Sequence, residues 1–400
     1  MPRRIALAVL VASAGNAQMS HQHGPAEAAC GEAVLRCATR VTPAFAPDGT
    51  LWLAFMAGGQ VSVARSIDRG AHLSDPVRVT REALDLDWGP DARPKIVVDR
   101  DGRIVVAFAR FRDKAFNGEV LIARSADGGK SFEAPRPITS NTESQRFEAL
   151  ALDADGAVFA AWLDKRNRVP AKEKGVKYDG AGLFFAWSRD GGASVSEAHL
   201  AQDNTCECCR LGIAFAAPGR PAVIFRNIFD GGIRDHAVIT FNAPEAPGAM
   251  HRVSDDDWRI DACPHHGPSL TISPRGTYLA TWFTNGKNRK GLFVARSTDG
   301  GATFSAPQPI GDPKRSPSRP YVLAARGKTA LVWKEFDGEV TTINLMISRD
   351  DGETWSAPSI LARTADASDH PLLVSDRGET FLSWMTKADG YRLVAIESTQ

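Results

Sequence analysis

Seven times along the chain, a short apolar run, a glycine turn and a second apolar run follow one another. The turns are Pro47-Asp48-Gly49, Asp101-Gly102, Asp155-Gly156, Pro218-Gly219, Arg275-Gly276, Arg326-Gly327 and Arg377-Gly378. The runs after them include Leu51-Trp-Leu-Ala-Phe55, Ile104-Val-Val-Ala-Phe108, Val158-Phe-Ala-Ala-Trp162, Tyr278-Leu-Ala-Thr-Trp282 and Thr380-Phe-Leu-Ser-Trp384. They are continuously apolar rather than alternating, as strands buried on both faces between stacked sheets should be. A recurrence every ~50–60 residues is the spacing of propeller blades. The pattern therefore predicts an all-β chain folded as a single β-propeller of four-stranded blades, with seven blades favoured. The last unit has room for only about three strands, and Ala33-Val-Leu-Arg-Cys37 is expected to supply its outer strand and close the ring, hiding the sheet edges.

A second repeat lies between the blades. Ser125-Ala-Asp127-Gly-Gly129-Lys-Ser131-Phe132, Ser297-Thr-Asp299-Gly-Gly301-Ala-Thr303-Phe304 and Ser348-Arg-Asp350-Asp-Gly352-Glu-Thr354-Trp355 share one pattern. Ser188-Arg-Asp190-Gly-Gly192-Ala-Ser194-Val195 is a weaker copy, and Ser66-Ile-Asp68-Arg-Gly70 a degenerate one. The aspartate can accept bonds from the turn's own amides and the glycine supplies positive φ, so each copy reads as a tight structural hairpin.

These turns have the form of Asp boxes, and on this scaffold the chain resembles the sialidase superfamily over nearly its whole mature length. Sialidases have six blades, which keeps six as the alternative count. In that family an Arg-Ile-Pro arginine binds the substrate carboxylate and a later aspartate acts as acid/base. By this resemblance the roles fall to Arg93 and Asp113, although Lys95 follows Arg93-Pro94 and makes the motif imperfect. Arg146 and Arg319, at the entry of inner strands, would complete an arginine cluster; the alternative reading of both is a solvated strand end. A retaining sialidase also needs a tyrosine nucleophile, and none of Tyr178, Tyr278, Tyr321 and Tyr391 stands in a matching context.

Lys plus Arg (48) nearly balance Asp plus Glu (47), with no basic run, which gives a nucleic-acid or membrane-surface role no electrostatic support. Arg3 and Arg4, the apolar Ile5–Ala12 and small residues ending at Ala14 or Ala17 read as a secretory signal. The expected organisation is a signal peptide over residues 1–17, a His-containing arm over 18–29 and the propeller over 30–400, in the periplasm or outside the cell. No later stretch reaches the ~20 apolar residues of a membrane span.

The unusual chemistry sits in Cys206-Glu207-Cys208-Cys209 and in Asp261-Ala-Cys263-Pro264-His265-His266. Cys209 and His266 stand equally far from their turn glycines, Gly219 and Gly276, so the two segments should reach one end of the channel from adjacent blades. Thiolate with imidazole suits soft or borderline metals. Cys206, Cys208, Cys209, Cys263, His265 and His266 are the candidate ligands, with copper as the expected metal and zinc, or none, as alternatives. The opposing reading is two structural disulfides, since an exported chain meets oxidants. Cys30 and Cys37 suit a local disulfide, and Met19-Ser-His21-Gln-His23 in the arm tilts the choice toward copper. His370 stands at the entry of the last unit.

Three functions remain open. The chain is an exported propeller binding copper, with the metal ion and another exported metal-handling protein as its partners. Alternatively, it is an exo-sialidase or related glycosidase using Arg93, Asp113, Arg146 and Arg319. Or it is an interaction scaffold with structural disulfides. Whether it is an enzyme stays undecided. The sheets are expected not to depend on the cysteine loop for their core.

Overall fold

A computed structural model of the chain describes residues 34–397 apart from Pro90 and Cys263. The expected signal, the His-x-His arm, Cys30 and Cys263 lie outside these residues.

The chain forms seven antiparallel sheets, each laid down in sequence order from an innermost strand outward. The innermost strands are Arg40–Phe45, Lys95–Val98, Gln145–Leu152, Gly212–Ala217, Ser269–Ile272, Ser318–Ala325 and Leu372–Asp376. Each touches the next in that order and the last touches the first, which closes a seven-bladed β-propeller around a channel. Helix is confined to Arg168–Glu173 and three short 3-10 turns among the described residues.

The second strand of each blade is buried. Leu51–Ala57, Val158–Asp164 and their counterparts are enclosed along nearly their whole length, which explains the missing alternation in sequence. Trp162, Trp282, Trp333 and Trp384 occupy these strands and are fully buried. Three of the four indole N–H groups donate to carboxylates, of Asp164, Asp256 and Glu335, and that of Trp384 donates to the Asp369 carbonyl. The apolar ring is thus sunk in the core while its one donor is satisfied.

The Ser-x-Asp-x-Gly turns share one hydrogen-bond pattern. In the first full copy Ser125 Oγ donates to Asp127 at 2.8 Å and accepts from Gly129 N at 2.9 Å, while Ser131 N and Oγ donate to Asp127 at 3.0 and 2.6 Å. The degenerate copy folds the same way, with His72 N donating to Asp68 at 2.9 Å. The turns also set blade spacing. A Cβ on Gly129 would fall 2.4 Å from Trp52 of the preceding blade, one on Gly192 2.7 Å from Val105, and one on Gly352 2.3 Å from Leu279. Glycine is required here as much by the neighbouring blade as by φ.

Ring closure differs from expectation. Leu35–Cys37 is a 3-10 turn lying against Gly390–Ala395 and Leu51–Ala57, so the described part of the expected closing segment, residues 34–37, does not form the outer strand, and the seventh sheet has three strands among the described residues. The reason is local. Cys37 N and Ala38 N donate to Val34 O and Leu35 O, so these amides are spent inside the turn and are not offered to a sheet edge.

Candidate metal centre at the channel mouth

Each connection from an outermost strand to the next innermost strand crosses the same face of the ring. Residues 206–211 and 253–268 are two such connections, so the topology puts the cysteine and histidine segments at one end of the channel. A single carboxylate fastens them together. Asp91, on the connection entering the second blade and fully enclosed, accepts from Gly267 N at 2.7 Å and Arg210 N at 3.4 Å. It also pairs with Arg319 at 2.7 Å, from the sixth blade. The two segments come very close, since a Cβ on Gly267 would lie 2.7 Å from Arg210 N.

The three sulfurs of Cys206, Cys208 and Cys209 lie within 4.8 Å of one another, with Cys206 and Cys208 3.4 Å apart. All are thiols, not disulfides. All are buried, packed in the apolar cluster of the third and fourth blades with Leu183, Phe185 and Val223. A buried thiol packs as a small apolar group, so these three cysteines are themselves part of the core.

Two buried arginines face the sulfurs. Arg234 Nη1 lies 3.3 Å from Cys206 Sγ. Arg226, only 1% exposed, stacks over Trp258 at 4.4 Å and donates to the carbonyls of Arg234 and His266. Burial works against its charge, and the Cys209 and Cys206 sulfurs more than offset that. Correspondingly, the Cys206 thiol is held well below its ordinary value by hydrogen bonds from Cys208 and Cys209 and, after burial is overcome, by Arg226 and Arg234. Cys209 moves upward because its proton is held in its bond to Cys206.

The imidazoles sit beside this trio rather than within it: the cluster within 4.8 Å contains the cysteines alone. His265 has left-handed backbone, φ 49°, and its carbonyl accepts from Arg319. His266 stacks on Phe283 at 4.3 Å, its Nδ1 is buried without a hydrogen-bond partner, and burial pushes its pKa down to about 3. A neutral imidazole with an unengaged nitrogen keeps the lone pair a metal requires.

The residues singled out for glycoside chemistry are differently placed. Arg93 is buried, pairs with Asp369 at 2.7 and 3.2 Å and donates to Val41 O, tying the first, second and seventh blades. Arg146 pairs with Asp87 at 2.6 Å and stacks on Phe147 at 4.7 Å. Asp113 is exposed in a hairpin, where the Asn117 side chain and amide, and the Ala115 amide, hold its carboxyl below the ordinary range. Tyr321 lies near Arg210 and Arg93, with its phenol pushed upward by burial. His370 is held well below its ordinary value by burial, then by Arg319 and Arg93.

Arg226, Arg234 and Asp91 are the site residues that sequence reasoning missed. Only Arg226 leaves a signal, as an arginine closing the apolar strand Ala222–Phe225.

One pocket, about 190 Å³, opens beside the cluster. It joins Cys208 and His265 to Arg146, Lys165 and the hairpin residues Ala115 and Phe116.

No protein-family description matches the sequence, and no curated protein matches it. Among solved structures, the fold is similar to that of a protein of unknown function from Dyadobacter fermentans: 18% identity, 80% of this chain, 95% of that chain and a TM-score of 0.52. It is similar to an ulvan lyase bound to -[GlcA(1-4)Rha3S]-: 9% identity, 90% of this chain, 94% of that chain and a TM-score of 0.58. A Hadza microbial sialidase shares 14% identity over 87% of this chain and 76% of that chain, with a TM-score of 0.51. At these identities the likeness shows the fold, a β-propeller of the kind found in sialidases and polysaccharide lyases, and nothing finer.

Proposed function

We propose that the chain is an exported, sialidase-like Asp-box propeller that binds copper(I) at the channel mouth. The observation that carries this reading is the set of three buried sulfurs, of Cys206, Cys208 and Cys209, within 4.8 Å of one another and with Arg234 Nη1 3.3 Å from Cys206 Sγ. Metal–sulfur bonds of about 2.3 Å imply sulfur separations of roughly 3.8–4.0 Å. The separations of 3.4 Å to under 4.8 Å bracket that range. Charge supports copper(I). Three thiolates around one Cu⁺ carry −3 + 1 = −2, which Arg226 and Arg234 balance; three thiolates around Zn²⁺ leave the group at +1. A zinc site completed by Cys263 would balance as well, so metal identity is the outcome to measure. His265 and His266 stand as alternative further ligands. Another exported metal-handling protein is the natural partner of such a site.

Titration of the reduced protein with copper(I), followed by thiolate-to-copper absorption, tests the reading. One equivalent should saturate the wild type, and Cys209→Ala should abolish the signal. A wild type with no signal refutes it.

The ulvan lyase and the sialidase among the fold neighbours favour a second reading, action on a glycan, with Arg146 and the Asp113 hairpin bordering the pocket. A general acid at neutral pH needs a raised pKa, whereas Asp113 is held low. A sialoside reporter should therefore be turned over negligibly. Turnover lost in both Asp113→Ala and Arg146→Ala would favour this reading.

A further inference from the structure

The three sulfurs differ in what they face. Cys206 is turned to Arg234, and Cys209 is packed in the apolar cluster of the third and fourth blades. Cys208 alone of the three lines the pocket. The pocket volume, about 190 Å³, equals roughly six waters at ~30 Å³ each, enough for the end of one side chain or a small chelate. Its charges are matched internally: Lys165 pairs with Glu207 at 2.6 Å and Arg146 with Asp87 at 2.6 Å. The remaining wall mixes the apolar Ala115, Phe116, Leu163 and Ala181 with the uncharged polar Ser144 and with His265.

We propose that this pocket is the port through which copper(I) reaches and leaves the site, and that it accepts the ion on a neutral soft donor, a thioether. The proposal rests on the copper reading above. A charge-matched, half-apolar pocket neither traps nor repels ions, so it favours an uncharged donor. A thiolate carrier would bring a further anion against three sulfurs, and a thioether brings none. In the exchange, the copper–thioether bond breaks as the bond to Cys208 Sγ forms. The metal remains copper(I), the thioether leaves with its lone pair, and the Cys208 thiol proton passes to solvent.

The test narrows the port without touching a ligand. Ala115 is exposed in its hairpin, so Ala115→Trp should fold as the wild type does, checked by thermal melting. Stopped-flow loading from the copper(I) complex of a methionine amide should slow about tenfold or more in this variant, with the same final absorption. In the metal-free wild type, iodoacetamide followed by peptide mass spectrometry should modify Cys208 before Cys206 or Cys209, and Ala115→Trp should slow that step too. An unchanged loading rate, or first modification at Cys206 or Cys209, overturns the port. Failure of the wild type to take up copper at all would sink the copper reading and the port with it. Uptake without preferential modification of Cys208 would sink the port alone.

Discussion

The guanidinium of Arg234 meets the sulfur of Cys206 at 3.3 Å where both groups are buried. A hydrogen bond to a charged partner in such a place is worth about 1.5–3 kcal/mol. Since the bond favours the thiolate, Arg234→Met should raise the Cys206 thiol pKa, read from thiolate absorbance near 240 nm across a pH titration. It should also weaken copper(I) binding at neutral pH by about tenfold or more. An unchanged titration would mean that the arginine does not stabilise a thiolate.

The blade-spacing role of the glycines in the Ser-x-Asp-x-Gly turns separates from their turn role at one pair of neighbours. Gly128 and Gly129 both have positive φ, 68° and 77°. A Cβ on Gly128 meets nothing within 4 Å, whereas one on Gly129 meets the Trp52 ring. Gly128→Ala should cost roughly 1 kcal/mol, from backbone strain alone. Gly129→Ala should cost about 1–3 kcal/mol more, from overpacking against the first blade. Chemical denaturation decides it, and equal losses would show that the glycine does not set the spacing.

Glu148 and Lys95, on adjacent innermost strands, give stability a distinctive pH dependence. Burial raises the Glu148 carboxyl from 4.5 to about 7, with Lys95 pulling it partly back. A folded pKa above the unfolded value means that the native state holds the extra proton between them. That contribution is complete below 4.5 and is lost as pH rises through about 7. Lys95, lowered by burial to about 8, responds only above this window. Between pH 5 and 7 the wild type should lose on the order of 2 kcal/mol relative to Glu148→Gln, read from urea midpoints. Parallel behaviour of the two proteins would contradict the buried assignment.

Most of the fold was legible because its signals are local and repeated. Each Gly turn, apolar second strand and Ser-x-Asp-x-Gly hairpin is set by residues within one blade, and repetition turns weak signals into a count of seven. Closure was misread because an apolar stretch such as Ala33–Cys37 does not reveal whether its amides serve a turn or a sheet edge. At the site, the matched spacing of Cys209 and His266 from their turn glycines brought both segments to one mouth. Finer contacts were hidden: Asp91 reaches Arg210 and Arg319 across the channel, and no sequence pattern links residues on three different blades. The burial of Arg93 against Asp369 was invisible for the same reason.

Elemental analysis of the protein, isolated from its own compartment without chelators, tests most simply whether a copper ion sits on Cys206, Cys208 and Cys209. Close to one copper per chain is expected, lost in Cys209→Ala; that variant should still melt cooperatively, at a somewhat lower temperature because the cysteine is part of the core. Protein carrying zinc in copper's place would reassign the site, and metal-free protein with all three of these thiols intact and reactive would contradict it.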